Sequence, residues 1–458
     1  MTELNLTKLQ ELVRSGAAAR SRVVLQPAGG EGTKVFPPTY AGAVYAMEKR
    51  RLPGYTEPVD CVLLDSVQSQ ANRMEEALQQ AVDAGRISIP VVEVDFTPFE
   101  NHKDKTLCLL EPMGKVTSLQ APHRIVDAIL RDSVVNEEGE DKGKLFRAKD
   151  GAKESSIGQR LRRVTAHNAT ALFELCPTAL LLGMWDSTGP KGGLGAKFER
   201  AMVSEIVGIN AVRGCKSSSR LDPLAIQKDA GPLYRRPDGG FTTDPSQALD
   251  ELKEGKPTGK KILFKQNSKG QDVAHDPKES SFPDQGRPSE ANHGNVTPSI
   301  SEKDREGEFL AGGVTIDRAE QTIVLSFPAL RRFKFPIKGE AQSRPEVDVA
   351  ARTVLAALGL CAVALTAEAG LDLRSRCLLW PNESLKWELL GKPGEKEEGI
   401  TLEADHAVKL LKEAIDAAKK LGLPWREQPL QLRPSDELVK LVVKSQELAQ
   451  QQGSEGGE

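Results

Sequence analysis

Aromatic residues are scarce in this 458-residue chain: Phe, Trp and Tyr together make up 5%. That scarcity argues against a protein built mainly on stacking surfaces. Cysteine is sparse as well, with six residues at 61, 108, 176, 215, 361 and 377, none in a CxxC pair. The spacing suits neither a zinc site nor a disulfide framework, and it reads as reduced thiols in a cytoplasmic protein. The six histidines are scattered, so no metal site is assigned. No apolar run reaches about 18 residues, so no membrane span is expected. Met1 to Leu6 lack a basic stretch followed by an apolar one, and no export signal is read there. An excess of one charge is missing too. The formal net charge of −3 excludes a wholesale basic coat protein. GxSxG and HExxH are absent, so triad hydrolases and zincins have no support.

Ordinary globular usage is present: 39% hydrophobic and 28% charged residues. The length suits about three domains or one large elaborated one. Arg22–Pro27, Cys61–Leu64 and Ile89–Asp95 read as strands. Between the last two, Val67, Ala71, Met74, Leu78 and Ala81 form one apolar stripe, so a helix starts near Ser66. Ala171–Cys176 and Ala179–Trp185 read as a strand-like run interrupted by Pro177. It leads into a glycine-rich loop, Asp186 to Gly195, and a helix is expected over about 196–206. Residues 265–307 are nearly free of apolar side chains and read as a mobile hydrophilic insertion. Gly313–Ser326 reads as a hairpin, residues 347–365 as a helix, Ser375–Trp380 as a strand and 407–421 as a last amphipathic helix. The tail from Gln446 is polar. Hairpins mixed with β–helix–β units favour an α+β fold of the split βαβ, ferredoxin or RRM kind.

The total charge hides an uneven distribution. From Gly158 to Arg236 twelve Lys and Arg face six Asp and Glu, a balance of +6; from Asn382 onward the balance is −4. A basic centre suits a phosphodiester backbone, and a solvated surface suits it as well. In the loop, Gly189, Gly192 and Gly193 with Lys191 offer phosphate-cradling chemistry, with Lys197 and Arg200 close by. Neither the Walker nor the dinucleotide spacing fits, and a tight structural turn is the competing reading. Gln68, Ser69, Asn72 and Arg73 share the polar region of one helix and can donate to phosphate or sugar oxygens, or merely solvate that helix. His123, Arg124 and Arg131 lie around a further expected helix; His123 is a weak candidate base, as is His167. Arg160, Arg162, Arg163 and Arg220 can bind phosphate or pair with carboxylates.

Five segments carry a family resemblance: Leu64–Met74 (LDSVQSQANRM), Ala121–Ser133 (APHRIVDAILRDS), Leu172–Ala179 (LFELCPTA), Trp185–Phe198 (WDSTGPKGGLGAKF) and Ser219–Leu224 (SRLDPL). With them the chain resembles the backbone subunit of the type I-G (formerly I-U) CRISPR Cascade complex, in the Cas-seven branch of the RAMP superfamily. The likeness covers residues 22–245 well and 310–380 loosely; the 265–307 stretch departs from it. The resemblance implies an RRM/ferredoxin-like palm with large insertions serving as fingers and a thumb hairpin. On that plan residues 1–264 are the N-terminal part of the palm with its insertions. Residues 308–425 complete the palm, and 426–458 are a polar tail. It also implies copies arranged head to tail along crRNA, other Cascade subunits as partners, and pairing of the guide with target DNA. No cofactor and no catalytic residue is implied. A metal-independent ribonuclease of the same superfamily, with His123 or His167 as base, is the alternative. A phosphate-binding enzyme using Gly189–Gly195 is a third reading.

Overall fold

The computed structural model describes residues 4–148, 153–187, 196–227, 229–267, 270–279, 285–303, 307, 309–337, 340 and 342–456, with side chains to 450. The chain divides into two compact units: Met1–Gly214 with Gly313–Val443, and Cys215–Gly312 with Lys444–Glu458.

The first unit is organised by β1 (Ala18–Pro27), β2 (Val59–Asp65), β3 (Met202–Ile209), β4 (Arg318–Ser326) and β5 (Lys386–Leu390). Its main helices are α1 (Leu6–Ser15), α2 (Val67–Asp83), α3 (Pro345–Ala369) and α4 (Ala404–Lys420). The strands pair in the order β5–β1–β4–β3–β2, antiparallel throughout. With β2 set aside as an added strand, the rest runs β1–α2–β3–β4–α3–β5. The sheet order is then last, first, third, second, which is the split βαβ plan of a ferredoxin-like palm. Alternation decides which face is covered. Ser21, Val23 and Leu25 of β1 and Ala319, Gln321, Ile323 and Leu325 of β4 point inward, and Arg22 and Thr322 stand opposite one another on the outer face.

α2 starts where the stripe predicts. Ser66 caps it by accepting from the Ser69 backbone N–H at 3.2 Å, and Ala71, Met74, Leu78 and Ala81 are buried. α3 is mostly apolar and buries residues on every side, the charged Asp348 and Arg352 among them. It alone among the described helices is long and apolar enough to cross a membrane, and it is buried inside the fold, packed on α1, α2 and α4. Trp387 on β5 is fully buried as well. Trp387→Ala is expected to lower stability by about 3–5 kcal/mol, read as a shift in the urea midpoint, whereas Trp387→Phe removes an indole N–H that has no partner and keeps a ring.

Five expectations are corrected. Residues 170–182 form two short helices, Thr170–Leu175 and Pro177–Leu182, instead of strands. Every residue from Pro177 to Leu182 is buried, so no period existed to read; Ala and Leu favour helix, and Pro177 starts the second one. The helix expected over 196–206 is replaced by the strand Lys197–Phe198 and by β3, where Val203, Ile206, Val207 and Ile209 are β-branched. The hairpin at 313–326 does not form. Val314 and Thr315 pair with Arg213 and Val212 in the register that β4 keeps with β3, so the two runs are one interrupted strand. The Asp317 N–H donates to the Ile209 carbonyl at the interruption. The expected helix carrying Ile125, Ile129 and Arg131 is split into a 3₁₀ turn, Arg124–Val126, and one turn of α-helix, Ala128–Arg131, capped by Asp127. Finally, residues 426–458 are not simply a tail. Leu430–Pro434 is a strand between Val92–Asp95 and Ser133–Val135, and a helix follows over Asp436–Gly456.

The second unit contains the ladder of Lys216–Arg220 with Val296–Ser301, and a three-stranded sheet of Asp250–Lys253, Lys256–Ile262 and Ala274–His275. Tyr234, Ala248 and Leu263 form its small core. Paired strands thus occur within the hydrophilic 265–307 stretch.

Candidate nucleic-acid interface

The start of α2 is fixed by a buried polar network. Asp65, at the end of β2, accepts from Gln70 Nε2 at 2.7 Å and from Arg73 Nε at 2.9 Å. Gln70 Oε1 in turn accepts from Ser204 Oγ at 2.7 Å and from Gln321 Nε2 at 2.8 Å. Such a network, satisfied at each step, holds the helix rigidly on the sheet. Arg73 is part of that anchorage: Nη2 donates to the Leu373 carbonyl at 2.6 Å and Nη1 to that of Asp372 at 3.4 Å. Gln68 and Asn72 stand exposed on the other side of the helix, where Gln68 Nε2 donates to Asn72 Oδ1 at 3.3 Å; Ser69 is half-buried. Gln70, which orders this turn, is not among the residues the sequence singles out.

Arg124 lies inside the protein. Its backbone φ is +53°, and its guanidinium forks onto the buried Glu75 at 2.7 and 2.8 Å. Nη1 donates to the Gly183 carbonyl at 3.0 Å. Burial pushes the Glu75 carboxyl upward, and Arg124 pulls it back. Arg124 therefore ties α2 to Gly183, three residues before the glycine-rich loop, and is itself buried. Arg131 forks onto Asp132 with two 2.8 Å bonds. Arg160 pairs with Glu174, and Arg162 with Glu154 at 2.5 Å; Arg163 is exposed. In the second unit, Arg220 donates to the carbonyls of Gly294 at 3.0 Å and His293 at 2.8 Å.

The glycine-rich loop is closed at its base by a two-residue ladder, with Trp185 opposite Lys197 and Met184 opposite Phe198. Met184 and Phe198 are buried; Trp185 and Lys197 are exposed on the other face. The Asp186 N–H donates to the Ala196 carbonyl at 3.0 Å, and the buried Asp186 carboxylate pairs with Arg147. Gly189, Lys191, Gly192 and Gly193 fall outside the described residues. Arg200 passes over Gly183, where a Cβ would lie 2.9 Å from its Cγ, and donates through Nη2 to Gln68 Oε1 at 2.5 Å. Partial burial and the neighbouring Arg124 pull the Arg200 guanidinium below its usual range. Among the described residues no carboxylate pairs with Arg200 or Lys197. Arg200 with Gln68 and Asn72, and Lys197 with Trp185, thus flank the base of this loop. Such donors fit phosphate and sugar oxygens and read no base identity.

Two other surfaces offer less. On the outer face of the sheet Arg20 pairs with Glu388 at 2.6 Å, Arg50 with Glu205 at 3.0 Å and Arg318 with Glu320 at 2.7 Å. The outward residues of β1, β3 and β4, such as Val24, Val203 and Thr322, include no aromatic pair of the kind an RRM sheet uses to stack bases. His123 and His167 are exposed, and among the described residues neither ring is oriented by a partner. No three His, Cys, Asp or Glu side chains converge as metal ligands among the described residues.

Residues 20–213 match the family model described as CRISPR-associated protein GSU0053. Over those residues the chain is similar to that CRISPR-associated family. It begins in β1 and ends one residue before the boundary of the first unit at Gly214. The CRISPR-associated segment therefore holds α2, Arg124, the glycine-rich loop and β3, and every residue singled out from the sequence except Arg220. No curated protein matches the chain.

Proposed function

We propose that this chain is a non-catalytic crRNA-binding subunit of the Cas-seven kind, part of a type I surveillance complex in the cytoplasm. In this reading copies of the chain line up along the guide, contact other Cascade subunits, and leave the bases free to pair with target DNA. One observation carries it: at the base of the glycine-rich loop Arg200 donates to the exposed amide of Gln68, which in turn bonds Asn72, while Lys197 stands across the closing ladder from Trp185, and neither cation pairs with a described carboxylate. A guide differs in sequence from one array to the next, so its holder must grip the sugar–phosphate backbone and ignore base identity. Sequence reading then falls to Watson–Crick pairing, as in other RNA-guided effectors.

The test is co-expression with a guide RNA, followed by filter binding of two unrelated single-stranded RNAs. RNA is expected to co-purify, both sequences to bind with equal affinity within about twofold, and log K to fall linearly with log salt. Protein free of nucleic acid and indifferent to RNA at low salt would overturn the proposal, as would binding of only one of the two sequences.

A further inference from the structure

Of the four tryptophans, Trp387 is fully buried, and Trp425 packs edge-on against Phe173 at 5.2 Å between ring centroids. Two are exposed: Trp185 at 57% and Trp380 at 63%. Their surroundings differ. Trp380 borders an apolar cavity of about 460 Å³ with Leu371, Leu379 and Leu385, and Glu368 and Glu383 also line that cavity. Those carboxylates repel a phosphate. Trp185 stands directly across a ladder from Lys197, and Arg200 packs over Gly183 two residues before it. The ladder holds the indole outward, because Met184 and Phe198 fill the inner side. An exposed ring with Lys197 across the ladder and Arg200 close along the chain, neither paired with a described carboxylate, offers a flat apolar face and positive charge together. It matches a ligand that is flat, aromatic and anionic at once.

We infer that Trp185 is a stacking platform for one unpaired nucleobase of bound RNA, with Lys197 and Arg200 taking the adjacent phosphates. The inference rests on the RNA-binding reading above and adds a base-contacting subsite to it. Stacking tolerates every base, because each has a π-face, so the platform keeps the indifference to sequence that a variable guide requires. It demands a base that is free of its duplex, so the site distinguishes single-stranded from double-stranded RNA.

The test uses the full chain and an unstructured single-stranded RNA, the same RNA with abasic residues throughout, and the RNA annealed to its complement. Trp185→Ala is expected to weaken binding of the intact RNA about tenfold, with Trp185→Phe recovering most of the loss. Wild-type protein should bind the abasic RNA as weakly as the alanine variant binds the intact one, and it should prefer the single strand to the duplex. RNA should quench tryptophan fluorescence in wild type and in Trp380→Phe, and much less in Trp185→Phe. The abasic arm needs no variant, so misfolding of a substituted protein cannot imitate it. If wild type binds intact and abasic RNA alike, or if Trp185→Ala binds as wild type does, the stacking platform is refuted and the backbone grip stands. If wild type binds no RNA at low salt, the underlying reading fails with it.

Discussion

Reversing both cations at the base of the glycine-rich loop, Lys197→Glu with Arg200→Glu, is expected to weaken RNA binding by more than about a hundredfold. Both side chains are exposed, and neither pairs with a described carboxylate, so the substitutions strip ligand contacts and break no ion pair. Hydrogen bonds to charged groups contribute about 1.5–3 kcal/mol each, and two of them exceed a factor of a hundred. The loss should be equal for unrelated RNA sequences. The slope of log K against log salt should become shallower by about 1.4, the value for two fewer phosphates on a single strand. Filter binding across a salt series measures both quantities. An unchanged slope, or a loss restricted to one sequence, would contradict a backbone grip at this place.

The second large effect concerns Arg124. Arg124→Met leaves the Glu75 carboxylate enclosed without its partner and is expected to lower stability by about 3–5 kcal/mol. Glu75→Leu alone should be equally damaging, because it strands the guanidinium instead. The double variant, Arg124→Met with Glu75→Leu, should recover most of the loss, since apolar groups of similar volume replace a buried pair at little cost. Urea denaturation of the four proteins closes the cycle. Additive losses in the double variant would show that the two side chains act apart.

Arg124 also marks where reading from sequence stopped. Its residue type suggested a phosphate donor, yet its partner Glu75 lies 49 positions away in the chain. No local pattern announces such a meeting. Arg73 is a similar case: its type and helical position were legible, but Asp372 and Leu373, about 300 positions on, accept its protons. Elements with a clean period were legible throughout. α2 and α4 announced their apolar stripes, and the palm followed from β–helix–β units at both ends of the chain. Segments buried on all sides, such as 170–182, carry no period that separates helix from strand. The strand Leu430–Pro434 escaped notice because its alternation, Leu430 and Leu432 inward with Gln431 and Arg433 between, lasts only five residues. Trp185 has a local signal in the sequence. Met184–Trp185 and Lys197–Phe198 are mirror-image pairs of apolar and outward residues flanking the loop, as a closing ladder requires.

α3 has a consequence for how the chain comes off the ribosome. Pro345–Ala369 is mostly apolar and buries residues on every side, so most of its surface lacks cover until its neighbours wrap it. α1 and α2 are already made when it emerges, but α4 ends about 50 residues later. At about 5–20 residues per second, one flank of the nascent helix stays bare for roughly 3–10 s. During that interval a sticky rod nearly 40 Å long (25 residues at about 1.5 Å each) is left partly uncovered. A holdase that covered this stretch during synthesis would shorten that exposure.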